Sequence, residues 1–374
     1  MTFRQQYIES LLFGKPDRIP LMPGGPREST LRAWHQQGLP EGADHYATML
    51  EALGLPPPEI NIAHPGVNFA MIPTFEEKVL EHINGHYIVQ DWMGNITEIS
   101  DQFDYTYIRS ARDFVTRKWH RFPVETRDDF EQMKERYQPD APERFPEDFS
   151  ERCLSIKAND SLVFMTVTGP FWQLREWCGF EPLCMMFIED PDFVQEMIGF
   201  WKDFVLSVMR KMHRHIAPDH IIINEDMAYK AHSMISPEMT RKFILPVYIE
   251  WVAELRSAGC QCPCVDSDGY VGELIPIWIE AGMNVCTPVE VAAHNDIVAY
   301  RKQFGRQMAY TGGIDKRAIA RGGKSLEDEM TRVIPPMLKE GGFIPGCDHG
   351  IPSDISWQNY LDYCRQLAHH CGWF

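Results

Sequence analysis

From residue 161 onward, short apolar runs alternate with longer amphipathic stretches, and this alternation limits the folds open to the chain more than any other feature. Strand-like runs at 161–167, 219–224, 261–266, 283–288, 307–311 and 342–346 are separated by helical patterns near 171–178, 191–215, 237–258, 271–281, 295–304, 325–339 and 356–369. Strand, helix, strand, helix implies parallel strands, because a parallel pair needs a long crossover connection. Six β/α units here, one strand at Arg18 to Met22 and another in the early region make eight. The expected fold is therefore α/β, a single (β/α)8 TIM-type barrel rather than a doubly wound sheet. Pro263 is awkward in a central strand, so the register of the 261–266 strand is not extended backward from Asp266. The helix opening at Ser236-Pro237-Glu238 has a capping serine and a first-turn proline, and Pro246 is expected to kink it.

The N-terminal region decorates this frame. Phe3, Tyr7, Ile8, Leu11 and Leu12 share one helical face before Gly14 and Pro16. Residues 75–100 read as a meander of short strands with Asn-Gly and Gly-Asn turns, and 128–151 as a charged, proline-rich, solvated surface. Residues 75–150 are thus an insertion in one domain spanning 1–374, with no flexible linker between halves. A net charge of −17 excludes a nucleic-acid binder, which needs clustered Lys and Arg. With 44% hydrophobic and 24% charged residues the chain can bury a large core. No run approaches the roughly 18 uncharged apolar residues of a membrane span, and the N-terminus lacks a signal core. The ten cysteines include no CxxC pair, so reduced thiols in a cytoplasmic protein are expected.

Active sites of α/β barrels lie at the C-terminal ends of the strands, so the residue after each strand carries the functional information. Those residues are Glu225-Asp226, Asp266-Ser267-Asp268, Glu290, Asp315-Lys316-Arg317 and Asp348-His349. Any one of them suits a helix start, but several carboxylates at one mouth repel unless a metal, a proton or a substrate compensates. Asp266 and Asp268, two apart on an extended exit, can aim at one point. His349 is the candidate for proton transfer at neutral pH. Glu225 and Tyr229 are placed over the same cavity. Phe171 and Trp172, after Gly169-Pro170, are read as aromatic walls for a flat or methylated substrate, with Arg175 close by. Gly312-Gly313 suggests a weak anion site on backbone N–H groups.

Several of these stretches resemble one family. Gly14-Lys15-Pro16-Asp17-Arg18-Ile19-Pro20, Leu174-Arg175-Glu176-Trp177, Asn224-Glu225-Asp226-Met227, Asp266-Ser267-Asp268-Gly269, Gly312-Gly313-Ile314-Asp315-Lys316 and Asp348-His349-Gly350-Ile351-Pro352 resemble the uroporphyrinogen decarboxylase superfamily over nearly the whole chain. The resemblance implies a (β/α)8 barrel and two branches of function, decarboxylation of a tetrapyrrole and methyl transfer to or from a corrinoid protein. The decarboxylases carry an Arg-Gln-Ala-Gly-Arg-Tyr run after the first strand. Here the stretch is Pro23-Gly24-Gly25-Pro26-Arg27-Glu28-Ser29-Thr30, with one arginine. An acidic rim also repels a polyanion. In the methyltransferases a His-x-Cys zinc pair and a later cysteine hold the metal, whereas this chain has Asp266 and Asp268 at the pair and Cys347 near the last strand.

The expectation is a methyltransferase that takes a methyl group from a methoxylated or methylated small molecule and passes it to a corrinoid (cobalamin) protein. Its catalytic residues would be His349, Asp266, Asp268 and Glu225. Trp172, Phe171, Arg175, Tyr229, Glu290 and Asp348 would bind substrate, and Asp266, Asp268, Glu225 and Cys347 would be the ligands of a zinc ion if one is used. Partners are the methyl donor and the corrinoid protein, with no nucleic acid and no membrane; a homodimer is compatible with the reading. A decarboxylase or lyase of a small carboxylate, clamped by Arg175, Lys316 or Arg317, and a non-catalytic ligand-binding barrel are the alternatives.

Overall fold

The computed structural model describes residues 1–374 except 58, 107, 108 and 110–114, so part of the expected 75–150 insertion lies outside the described residues. The described strands are β1 (Ile62–Ala63), β2 (Lys78–Ile83), β3 (His86–Gln90), β4 (Ile96–Ser100), β5 (Arg117–Arg121), β6 (Leu162–Thr168), β7 (His220–Asn224), β8 (Cys262–Asp266), β9 (Val285–Thr287), β10 (Ala309–Ile314) and β11 (Phe343–Cys347). Contacts gather the chain into two compact units. One comprises Met1–Pro65, Ser150–Val167 and Ile216–Phe374, the other Gly66–Phe149 and Thr168–His215.

The first unit holds an α/β sheet of seven strands in the order β1-β6-β7-β8-β9-β10-β11. The pairings β1–β6, β7–β8, β8–β9, β9–β10 and β10–β11 are parallel, as the alternation of elements requires. The expected eighth strand is the correction. Residues 18–22 form no regular strand; Pro20 lacks a ladder N–H there, and Pro23 and Pro26 lack one in the stretch that follows, where a single parallel bridge joins Pro26 to Ile351. The segment instead follows β11 through scattered bonds, Cys347 N–H to the Pro23 carbonyl at 3.1 Å and Ile351 N–H to the Gly25 carbonyl at 2.9 Å. Pro263 does sit inside β8, opposite Ile221 of β7, so the register extends back to Cys262. Pro246 lies just beyond a π-helical turn over Thr240–Ile244, where the long helix changes pitch.

Alternation along these strands sorts their side chains. Leu162, Cys262, Cys264, Val285, Ala309 and Ile344 form one buried cluster with Tyr7, Ile8 and Leu11 of the first helix, Phe3–Leu11. Most of these residues lie early in their strands, so the helix fills the N-terminal end of this face and leaves the C-terminal end for chemistry. His220 belongs to the filling. Its ring stacks on Phe164 at 5.0 Å, and burial lowers its pKa to about 3, leaving it neutral.

The second unit contains the antiparallel sheet β2-β3-β4-β5, the expected meander. Asn84 and Gly85, with φ of 51° and 77°, supply the left-handed pair that a two-residue hairpin turn demands. The helix Arg127–Lys134 starts at a capping box between Thr126 and Asp129 and buries Phe130 and Met133. The stretch read as a solvated surface thus has an inner face. Its Arg144 is fully buried, donating to the carbonyls of Gln138, Asn68, Arg136 and Ala70, so the charge is satisfied without a carboxylate. Tyr137, Trp177, Trp201 and Phe204 pack edge to face beside it. Among the described residues, no helix is long and apolar enough to cross a membrane.

Candidate active site

Asp266 ends β8 on the same face as Cys262 and Cys264, and the chain stays extended long enough to carry Asp268 beyond it. The next loop inward comes from β7. There Asp226, with φ of 40° in the left-handed region that Asp tolerates, accepts from the Asp268 N–H through Oδ1 at 3.1 Å. Gly269 is required at the following position. Its φ is 81°, and a Cβ there would lie 2.3 Å from the Ala228 carbonyl oxygen.

His349 enters from the exit of β11. Its Nε2 lies 2.9 Å from Asp268 Oδ2, while Nδ1 receives the Gly350 N–H at 2.7 Å and Arg27 Nη2 at 3.2 Å. A backbone N–H and a guanidinium only donate, so Nδ1 is the acceptor and Nε2–H donates to Asp268. The hydrogen bond to Asp268 raises the His349 pKa, against burial. The two donors on Nδ1 fix the orientation of the ring, with Nε2–H toward Asp268.

Three carboxylates therefore meet where one cation, Arg27, is engaged by the histidine. Burial is the first cause, and the charges of Asp268 and Asp226 the second, that raise the Asp266 pKa to about 7; His349 opposes them. Asp266 therefore holds its proton to a far higher pH than an ordinary aspartate, a condition suited to an acid catalyst.

Elsewhere on the rim the acidic side chains have donors of their own. Glu290 takes Lys316 Nζ at 2.8 Å and the Gly269 N–H at 3.3 Å. Val289 before it, fully buried and β-branched, is held at φ 59°, a strained conformation that fixes the direction of this loop. Asp348, fully buried, accepts the Val291 N–H at 2.8 Å and the Lys316 N–H at 3.0 Å, and burial raises its pKa to about 6. It ties two loops together rather than facing a substrate. Asp315 caps the helix Lys316–Arg321 and pairs with Arg317 at 2.9 Å.

Several expected site residues lie away from this group. Glu225 is fully buried, and Tyr248 of the helix Leu245–Ala258 donates to its Oε1 at 2.5 Å; Asp226 stands at the site instead. Cys347, the other expected ligand, is buried beside Tyr363, with the face that carries Ile344 turned the other way. Among the described residues no three His, Cys, Asp or Glu side chains are placed to hold a metal ion, so Asp266, Asp268, Glu225 and Cys347 do not converge as ligands. Tyr229 is more than half exposed in the loop after β7. Phe171 is fully buried in the core of the second unit and is no wall. Trp172 donates to Glu176 at 2.7 Å and lies under the Arg175 guanidinium at 4.9 Å. The Gly312-Gly313 amides offer no anion cradle, since Gly313 N–H donates to the Pro288 carbonyl at 3.0 Å. These glycines serve packing, with φ of 86° and 75° and room for a Cβ at neither.

Residues 120–366 match the family model described as uroporphyrinogen decarboxylase (URO-D). The chain belongs to this family. No curated protein matches the sequence. Among solved structures, a methyltransferase from Methanosarcina mazei is similar over 99% of this chain and 99% of its own, at 12% identity and a TM-score of 0.60. A B12-independent methionine synthase from Shewanella sp., in complex with selenomethionine, is similar over 62% of this chain and 67% of its own, at 10% identity and a TM-score of 0.36. The first likeness shows that this family member shares its fold with a methyltransferase. Arg27 was the residue least visible in the sequence. It lies in the loop compared with the decarboxylase arginine run, but its contact with His349 spans 322 residues.

Proposed function

We propose that this family member is a methyltransferase that removes a methyl group from the oxygen of a small methoxylated molecule and delivers it to a corrinoid carried by a partner protein. The observation that carries this reading is the placement of Asp266 at a strand exit, among the carboxylates of Asp226 and Asp268 and beside the Asp268–His349 pair, where burial and those charges raise its pKa. When the carbon–oxygen bond breaks, both electrons stay on oxygen, whose conjugate acid has a pKa of about 10 if it is a phenol. Protonated Asp266 gives that oxygen its proton, and Asp268, held by His349, remains the charged neighbour that keeps the Asp266 pKa high. A reduced corrinoid supplies the nucleophile for the methyl carbon. The segment Arg18 to Arg27 takes the place of the eighth barrel strand in this reading and brings Arg27 to His349.

The full-length likeness to the Methanosarcina mazei methyltransferase supports the same branch of the family. A decarboxylase of a polycarboxylate would need several cations for its substrate, whereas Arg27 and Lys316 are engaged by His349 and Glu290. The experiment is methyl transfer from a methoxylated aromatic, measured with and without a corrinoid protein while the cobalt spectrum is followed. Product is expected only with both proteins present. Release of carbon dioxide from a carboxylated substrate by this chain alone would establish decarboxylation instead.

A further inference from the structure

We infer that the second unit carries a binding site for a small aromatic monocarboxylate, built from residues none of which belongs to the acidic rim. A cleft of about 460 Å³ opens there, lined by Phe75, Gln90, Arg121, Phe122, Gln132 and Arg136 among others. That volume falls within the range of small-molecule sites.

Its two aromatic side chains are held in place by their neighbours. Gly94, with φ of 89°, lets its backbone approach the Phe75 ring so closely that a Cβ would lie 2.8 Å from it. The Arg136 guanidinium stacks over Phe75 at 3.7 Å and anchors one nitrogen on the Pro73 carbonyl at 2.6 Å. Phe122 stacks on Trp119 at 5.0 Å with the planes 16° apart, and a Cβ on Gly179 would lie 2.3 Å from its ring. Walls held in this way lose little freedom when a flat ring enters.

The charged groups define the rest of the ligand. Arg121 reaches Glu125 and Asp129 only at 3.6 and 4.0 Å, beyond hydrogen-bond distance. Asp129 Oδ2 is engaged by the Glu125 N–H, the Thr126 N–H and the Thr126 hydroxyl, so this carboxylate serves the helix start. Arg121 and Arg136 therefore keep donors for a planar carboxylate, which guanidinium groups bind in a fork. Asp129 and Glu135, also on the lining, oppose a second negative charge. A ring with one carboxylate meets both the aromatic side chains and the guanidinium donors still open; a phosphate leaves the aromatic side chains idle, and an uncharged ring makes no use of those donors.

Calorimetric titration of the whole protein with benzoate, benzyl alcohol and inorganic phosphate tests the site. Saturable benzoate binding is expected, at least tenfold tighter than either control, and weakened at least tenfold by Arg121→Ala and by Arg136→Lys. His349→Ala should bind benzoate as the parent does. Thermal melting shows whether each variant is folded; if Arg136→Lys is not, Arg121→Ala decides, since Arg121 holds no hydrogen bond whose loss would unfold the unit. Absence of saturable binding, phosphate binding as tight as benzoate, or indifference to Arg121→Ala would each overturn the proposal. Loss of binding in His349→Ala would move the ligand to the rim.

Discussion

At the exits of β9, β10 and β11, Glu290, Asp315 and Asp348 each have a cation or a pair of backbone amides directly against the carboxylate. At the exits of β7 and β8 the same residue types face one another, and Asp266 has Asp226 and Asp268 as its charged neighbours. Both regions follow parallel strands and both are acidic. Position after a strand thus selects acidic residues in general, while the supply of donors separates those that tie loops together from Asp266, whose carboxylate neighbours raise its pKa. Substitution at Asp266 and at Asp348 should therefore give opposite results.

The largest contrast is in turnover. Asp266→Asn keeps the shape of the side chain and removes its acid, so methyl transfer should fall by about 10² to 10⁴-fold, the usual range for a general acid. Its melting temperature should match or exceed that of the parent, because a carboxylate repelled by two neighbours has gone. Steady-state rates and thermal melts of the same preparation check both halves. A variant that is inactive because it melts far below the parent would place Asp266 with the loop-holding group.

The second contrast is in pH. In the unfolded chain the Asp266 carboxyl ionises near 3.9, and in the folded protein at about 7. Between those values the unfolded chain gives up its proton while the folded one keeps it, so this residue's contribution to stability falls as pH rises from about 4 to 7 and is flat above. The full window is worth roughly 3 kcal/mol once the partial exposure of the group is allowed for. The groups that set it are Asp268 on the same loop, Asp226 from the β7 exit and His349 from the β11 exit. Urea midpoints at pH 5 and pH 8 should show this loss in the parent and a smaller one in Asp266→Asn; equal slopes would remove the case for a protonated Asp266.

How far the sequence reveals this division depends on the range of the contacts. The β/α alternation and the strand exits follow from local periodicity, so β6 to β11 and the acidic residues after them were legible. Glu225 was misplaced because adjacent residues at a strand end point to opposite faces, and the one-residue choice between Glu225 and Asp226 depends on Tyr248, a partner 23 residues away on a helix. Phe171 was misplaced because an aromatic after Gly-Pro suits a wall and a core equally, and the aromatic packing of the second unit decides it. The seven-stranded pairing departs from the expected eight because Pro20, Pro23 and Pro26 interrupt the ladder while leaving carbonyls for Cys347 and Ile351 to reach. Arg27 and His349 could be suspected singly, but their meeting is a consequence of closure between the two ends of the chain.

The smallest contrast concerns stability alone. Asp348→Ala leaves the N–H groups of Val291 and Lys316 without their acceptors in a fully buried setting. Each unpaired amide costs on the order of 1–3 kcal/mol, but removing a charge that burial already disfavours returns part of that, so a net loss of about 2 kcal/mol is expected. Asp348→Asn keeps one acceptor oxygen and should lose about half as much. Denaturant titrations at pH 7 measure both variants, and the ratio between them reports whether the amides are the cause. Residual methyl transfer in the folded fraction should stay within a fewfold of the parent, since neither Oδ1 nor Oδ2 of Asp348 faces Asp266 or His349 in the bonds it makes. An Asp348→Ala protein as stable as the parent yet inactive would erase the distinction between the two sets of strand exits and place Asp348 beside Asp266 in the chemistry.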